Sequence, residues 1–386
     1  MKKIIPYGKQ NITETDINAV IEALNSDLIT QGSFVPKFES KISALTGSKY
    51  VSAVNSATSA LHLGCKALGV NSNSLVWTST NSFVASANAA VYCGAKIDFI
   101  DIDLSTFNIS IPKLKNKLAV AKKNKNLPDL IIPVHLAGSS CDMKEIYKLS
   151  KKFKFKILED ASHCIGGDYM NKKIGRCQYS HACVFSFHPV KIITTGEGGA
   201  ITTNDKFLDY KIKNLRSHGI ERNTKKFISA DSLDWYYEQQ DLGFNYRMTD
   251  IQAALGISQL NRIKSNIKKR NEIARYYDKN LNIKGIVKPD LGLFKGSSFH
   301  LYIIRVKKFR DRLRNHLLSK GIICNLHYFP IHLQPFYKAL GFKKTMYPNA
   351  EEYAEDGLSI PIYPELKKDE MDKIIFEIER FFANVS

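Results

Sequence analysis

The 386-residue sequence predicts an α/β fold: a mostly parallel sheet in a large domain, helices on both sheet faces, and a smaller α+β domain at the C-terminus. Three observations predict it. Short apolar runs alternate with helical stretches through the first two thirds of the chain. The segments richest in reactive side chains each follow such a run, where an open α/β sheet collects its ligands. After a long helical stretch that begins near residue 249, the composition changes.

The elements follow in order. Ile17, Val20, Ile21 and Leu24 share one face of a helix over 13–24, with Thr13 as N-cap. Phe34, Phe38, Ile42 and Leu45 predict a second helix. A strand over 50–54 leads into a helix that runs from Asn55-Ser56-Ala57-Thr58-Ser59 to Leu68. Further strands are expected over 75–78, 97–101, 130–134 and 155–159, each separated from the next by a helix. Two more fall over 184–187 and 200–203. The segment 225–241 has little periodicity and reads as a loop or a mobile excursion. One long helix is expected from about 249 to 279, then a strand over 300–306 and helices over 311–320 and 369–382. The expected division is 1–255, a large domain with an N-terminal arm, and 256–386, a small domain that includes the long connecting helix. No repeat of 20–50 residues is visible.

Composition bounds the function. Hydrophobic residues make up 44% and charged residues 24%, the usual globular mix, which excludes disordered, collagen-like and coiled-coil chains. The 56 basic and 37 acidic residues leave a net charge of +19, which suggests an anionic partner. A nucleotide-linked small molecule fits, and so does a lysine-rich solvated surface. The lysines are spread over 113–125, 144–156, 262–270 and 305–314 with helical apolar spacing, and there is no dense basic arm. Nucleic acid is therefore not an expected partner. No apolar run reaches the roughly 18 residues of a membrane helix, and the N-terminal residues lack a signal-like apolar stretch. A membrane is not expected as a partner either, and the expected location is cytoplasmic. Seven cysteines without a Cys-x-x-Cys pair argue for reduced thiols and against a zinc site, and no metal is expected.

Three segments carry chemistry. Asn55-Ser56-Ala57-Thr58-Ser59 joins a strand to a helix, whose N-terminal N–H groups suit a phosphate; a plain Ser/Asn cap fits the same residues. Glu159-Asp160-Ala161-Ser162-His163 closes a strand with an acidic pair and a histidine. A buried Asp160 there suits a protonated ring nitrogen, with a helix cap or structural ion pair as the alternative. Ser186-Phe187-His188-Pro189-Val190-Lys191 places one lysine in an apolar stretch, followed by a glycine-rich run. Desolvation would lower the pKa of Lys191, as a Schiff-base lysine needs; a snorkelling surface lysine is the alternative. Taken together, a phosphate cradle, a carboxylate and an amine are the three demands of pyridoxal phosphate.

These residues resemble a known family. "SFHPVKIITTGEGGAITTND", "EDASHCIGG", "NSATSALHLG", "RSHGI" and "GFNYRMTDIQAALGISQL" resemble, in order, the motifs of the DegT/StrS-type sugar aminotransferases, and the likeness runs from about Tyr7 to the C-terminus. It implies the fold type I architecture of pyridoxal phosphate enzymes (aspartate aminotransferase-like), and a homodimer with shared active sites. It implies that Lys191 holds the cofactor, that Asp160 lies at the ring nitrogen and that His163 lies beside it. Ala57, Thr58 and Ser186 are implied at the phosphate, Phe83 on the ring face, and Asn245 at the phosphate from the neighbouring subunit. Tyr7, Arg247, His327 and Tyr328 are implied near the substrate. The family's dehydratases carry histidine where Lys191 stands, so transamination is expected, with glutamate as donor and the pyridoxamine 5'-phosphate form arising in turnover. "NSATSALH", "ITQG", "SFVASANA" and "SHCIGGDYMNKKIG" resemble the pseudaminic acid branch, whose substrate is a UDP-linked 4-keto-6-deoxy-2-acetamido sugar of L-arabino configuration. Leu136 departs from that branch's pattern, which has a tyrosine nearby. C4 amination of a bacillosamine, legionaminic acid or perosamine precursor stays open as the alternative.

Overall fold

A computed structural model of the chain describes residues 4–229, 233 and 235–385. In chain order, the first part holds α1 (Glu14–Leu24), α2 (Phe34–Thr46), β1 (Tyr50–Val54), α3 (Ala57–Ala67), β2 (Leu75–Ser79), α4 (Ala85–Tyr92), β3 (Lys96–Ile100), α5 (Ile111–Lys123), β4 (Leu130–Ile132), α6 (Met143–Phe153) and β5 (Lys156–Asp160). A small hairpin, β6 (Asp168–Tyr169) with β7 (Lys172–Lys173), precedes β8 (Ala182–Ser186), β9 (Gly199–Thr203) and α7 (Lys206–Leu215). The predicted strand positions stand within a few residues of these bounds.

Seven strands form one sheet in the order β1-β9-β8-β5-β4-β2-β3. It is parallel except for β9, which runs antiparallel to both β8 and β1. That reversal has a consequence for the site. The connection from β8 to β9 leaves and re-enters at the same sheet edge, so residues 187–198 stay over the carboxyl ends of the parallel strands. Gly199 pairs with both Val54 and Ser186, which gathers the ends of β1 and β8 around one point.

One expectation is borne out with a qualification, and one is corrected. Helix α1 forms where predicted and is closed by a Thr13–Asp16 capping box, but its apolar face does not enter the core. Ile17, Ile21 and Leu24 are exposed, whereas Asp16 and Ala23 are buried against the rest of the chain. The long helix is two: α8 (Asp250–Asn261) and α9 (Ile263–Asn280), broken at Arg262, whose guanidinium turns to Asp16 and Asn11. Residue 255 lies inside α8. The 225–241 segment contains a short strand, β11 (Glu238–Gln239), which pairs antiparallel with β10 (Ile220–Glu221) just before the segment; residues 230–232 and 234 lie outside the described residues.

The C-terminal part carries an antiparallel sheet, β12 (Ile286–Val287), β13 (Tyr302–Val306) and β14 (Gly357–Ile360). Around it are α10 (Arg310–Ser319), α11 (Pro335–Ala339), α12 (Pro348–Asp356) and α13 (Lys368–Ala383). The N-terminal arm belongs to this neighbourhood: Ile5 bridges Ile322, and the Ile362 N–H donates to the Tyr7 carbonyl. One apolar cluster runs from α3 and α4 through to β13, α10 and α13, so both parts share a continuous core. All seven cysteines are free. Among the described residues, no helix is long and apolar enough to cross a membrane.

Candidate active site

A cavity of about 580 Å³ opens at the carboxyl edge of the sheet. Asp160, Ser186 and the residues that follow β1 form its floor, the β8–β9 connection one wall, and Asn325–Tyr328 of the C-terminal part another. Tyr7, Ala57, Thr58, Phe83, Asp160, His163, Ser186, Lys191, His327 and Tyr328 all line it. Segments as distant as the arm and residue 328 therefore converge.

Alternation along β5 sends its two terminal carboxylates to different partners. Glu159 is taken up by His135 Nε2 at 2.7 Å and by the Ser180 hydroxyl. The Cys141 N–H points at His135 Nδ1, 3.2 Å away, which leaves Nε2 to donate to Glu159. Asp160, 5% exposed, faces the cavity. Its Oδ2 accepts from the Ser86 hydroxyl at 2.6 Å, and its Oδ1 accepts from the Ser162 N–H at 3.1 Å and hydroxyl at 2.5 Å. Three donors fix the carboxylate while it still borders the cavity.

Lys191 sits on a tied loop. Its N–H donates to the His188 carbonyl, and Thr194 and Thr195 anchor the loop to the Phe187 carbonyl. Burial lowers the Lys191 amine to about 8, the negative charge of Asp160 pulling the other way. An amine that gives up its proton near neutral pH is what attack on an aldehyde requires.

Helix α3 begins at the same edge. The Ser56 side chain caps it by accepting the Ser59 N–H, and the N–H groups of Ala57 and Thr58 remain at the helix N-terminus, on the cavity wall. A Cβ on Gly199 would lie 2.6 Å from the Ala57 nitrogen. Only glycine lets β9 approach the helix so closely and leaves the cradle unfilled. The arrangement fits pyridoxal phosphate: anion donors, a fixed carboxylate and a deprotonable amine border one cavity.

The remaining wall is aromatic and neutral. His163 Nε2 lies 3.2 Å from the Tyr328 hydroxyl, and its ring is 4.3 Å from that of His300. Burial, then the charge of Lys191, holds His163 well below the ordinary histidine range and His327 at about 3. Phe83 is 57% exposed at the mouth, 5.9 Å from the Tyr328 ring. The Asn81 carboxamide receives the Tyr328 N–H at 3.0 Å. Two predicted residues do not reach the cavity of their own chain. Asn245 is exposed, with its backbone bridged to Ser217. Arg247 bridges Val54 and lines a separate depression with Tyr210, His218 and Arg222. Sequence reasoning missed Ser86, Asn81, His135 and His300. Ser82 and Ser86 stand four apart within "NSFVASAN", Ser86 on the first turn of α4 and Ser82 in the turn before it, and that pair of hydroxyls was the available signal.

Comparison with known proteins agrees with the geometry. The DegT/DnrJ/EryC1/StrS aminotransferase family matches residues 10–379. A Campylobacter jejuni protein named UDP-4-amino-4,6-dideoxy-N-acetyl-beta-L-altrosamine transaminase is 38% identical over 98% of this chain and 100% of its own length. The solved structure of Helicobacter pylori PseC, an aminotransferase involved in the biosynthesis of pseudoaminic acid, is similar with a TM-score of 0.91 at 32% identity, covering 99% of this chain and 100% of that one. Spr1654 from Streptococcus pneumoniae, in its PMP form, gives 0.89 at 30% identity over 99% and 100%, and its PLP form matches as well. With a family match that spans nearly the whole sequence and a cavity built for its cofactor, the chain belongs to the DegT/DnrJ/EryC1/StrS aminotransferase family and is a pyridoxal phosphate-dependent sugar aminotransferase.

Proposed function

We propose that the enzyme moves an amino group from glutamate to C4 of a UDP-linked 2-acetamido-2,6-dideoxy-β-L-arabino-hexos-4-ulose. The product is UDP-4-amino-4,6-dideoxy-N-acetyl-β-L-altrosamine, for pseudaminic acid biosynthesis. The supporting observation is one desolvated amine, Lys191, and one fixed carboxylate, Asp160, bordering a single cavity. The full-length likeness to the Campylobacter jejuni transaminase supports the choice of sugar.

Bound pyridoxal phosphate supplies an electron sink for the carbanion formed at the substrate carbon. The chain's own residues do the rest. Asp160, held by Ser86 and Ser162, keeps a proton on the ring nitrogen. The N–H groups of Ala57 and Thr58, with Ser186, bind the phosphate. Phe83 would stack on the ring face, with His163 beside the cofactor. The Lys191 amine carries the proton between substrate and cofactor carbons, as base and then as acid. Tyr7, His327 and Tyr328 bind the substrate and exclude water.

The functional unit is a cytoplasmic homodimer, divided at 255/256 into a large cofactor-binding domain and a small domain. The exposed apolar face of α1 and the outward position of Asn245 support the dimer. Asn245 and Arg247 then serve the partner's cavity, Asn245 at the phosphate and Arg247 at the anionic substrate. Seven unpaired thiols fit a reducing compartment.

The test is an absorbance titration of the purified protein with pyridoxal phosphate. Glutamate should bleach the cofactor's visible band, and the UDP-linked L-arabino 4-keto sugar should restore it. Recovery only with a bacillosamine, legionaminic acid or perosamine precursor would move the enzyme to that sugar. No visible band at all would overturn the role of Lys191.

A further inference from the structure

Asp160 does not hold its orientation alone. The Ser86 hydroxyl, on the first turn of α4, reaches its Oδ2 at 2.6 Å, and the Ser82 hydroxyl lies 2.7 Å from that of Ser86. A carboxylate oxygen only accepts. Ser86 therefore donates to Asp160 and must in turn accept from Ser82. The direction of both bonds is fixed by the one charged group at the end. Ser82 and Ser86 are 3% and 1% exposed, and Ser82 borders the cavity. On the other oxygen, Ser162 spends both its N–H and its hydroxyl on Oδ1. The carboxylate is held from two sides, and α4 and β5 are joined through it.

We propose that Ser86, backed by Ser82, is a positioning residue of the transamination. Its hydrogen bond holds the Asp160 carboxylate turned into the cavity, so that the proton shared with the cofactor's ring nitrogen would stay on the nitrogen. The inference rests on the reading of Asp160 given above and deepens it. Without the Ser86 donor, the Oδ2 charge is less stabilised, and the shared proton moves toward the aspartate. Electron withdrawal by the ring weakens as it does so.

The test uses full-length protein reconstituted with pyridoxal phosphate carrying ¹⁵N in the ring. The nitrogen chemical shift reads protonation directly, and equilibrium dialysis reads cofactor affinity. Ser86→Ala should move the shift toward the unprotonated value and weaken cofactor retention about tenfold, the scale of a lost hydrogen bond to a charged group. Ser86→Thr, which keeps the hydroxyl, should return both to the parent values. Ser82→Ala should move the shift the same way by less. Asp160→Asn sets the unprotonated end of the scale. If Asp160→Asn moves the signal and Ser86→Ala does not, the positioning role is wrong and the Asp160 reading stands. If Asp160→Asn leaves the signal in place, the Asp160 reading itself fails. A Ser86→Ala protein that melts lower without a change in shift would reduce the contact to packing and overturn the proposal. Should that variant not fold, Ser82→Ala with an unchanged shift would overturn it equally.

Discussion

Asp16 and Asp160 are both buried carboxylates, 0% and 5% exposed, in two layers of the same part of the chain. Asp16, on α1, is saturated. Both Arg262 terminal nitrogens reach it, at 3.1 and 2.7 Å, with Ser258, Gln259 and the Thr13 N–H adding to them. Burial disfavours its charge, but these bonds win and hold its carboxyl below the ordinary range. Asp160 has hydroxyl and N–H donors but, among the described residues, no cation in hydrogen-bonding contact, and it borders open space. The difference separates structure from chemistry. A buried charge whose partners are complete fastens elements together, here α1 to the α8–α9 junction. A buried charge that is oriented but not neutralised is available to a ligand.

That contrast can be broken in order of effect. Lys191→Ala should lower kcat by at least about a thousandfold, because the proton carrier is gone, while the protein stays folded; steady-state kinetics beside circular dichroism checks both. Asp160→Ala should cost about a hundredfold or more in kcat and release the cofactor on dialysis. Asp16→Ala should do the reverse. It leaves Arg262 without its charge partner and should cost about 3 kcal/mol of stability, read from denaturant unfolding, with cofactor binding per folded molecule unchanged. A loss of affinity in Asp16→Ala as large as in Asp160→Ala would erase the distinction.

Mixing Lys191→Ala with Asn245→Ala protein tests whether the site is shared. If Asn245 serves the partner, one site of each hybrid dimer carries both lesions and the other carries neither. Activity should then reappear, up to about half of one unmutated site per dimer at equal mixing by simple binomial pairing. A mixture no more active than its parents would return Asn245 to its own subunit.

The smallest effect is in pH. The Lys191 amine loses its proton near 8 rather than near the ordinary lysine value. Capture of pyridoxal phosphate by the apo-protein should therefore rise with pH and level off above about 8. Linkage gives a second sign. Between about 8 and the unfolded lysine value, the unfolded chain holds more protons on this group than the folded one, so stability rises with pH there. Lys191→Met should stabilise the apo-protein below pH 8, with an advantage that fades as pH climbs through that window.

Much of this was legible in the chain. Strands and crossover helices announce themselves by local periodicity, and the three reactive segments lie where strand-to-helix connections must lie. The apolar stripe of α1 was legible, but periodicity reports that a face is apolar, not what covers it. The 249–279 stretch read as one helix because nothing local marks the break at Arg262. The break coincides with the pull of Asp16, more than 240 residues away in sequence. Ser86 was quoted within a motif but not singled out, since a serine on a helix carries no signal until its acceptor is placed.

The sequence by itself determined most of the element order and the family motifs, and it singled out Lys191 and Asp160 as the candidate chemical pair, because each depends on residue type and near neighbours. Only the tertiary structure decided that β9 runs backwards and holds Lys191 over the strand ends. It also decided that Glu159 is consumed by His135 while Asp160 is free for the cavity, and that Ser82 and Ser86 stand behind it. Those choices depend on which distant groups meet, and on how a buried charge finds its partners, which no local pattern encodes.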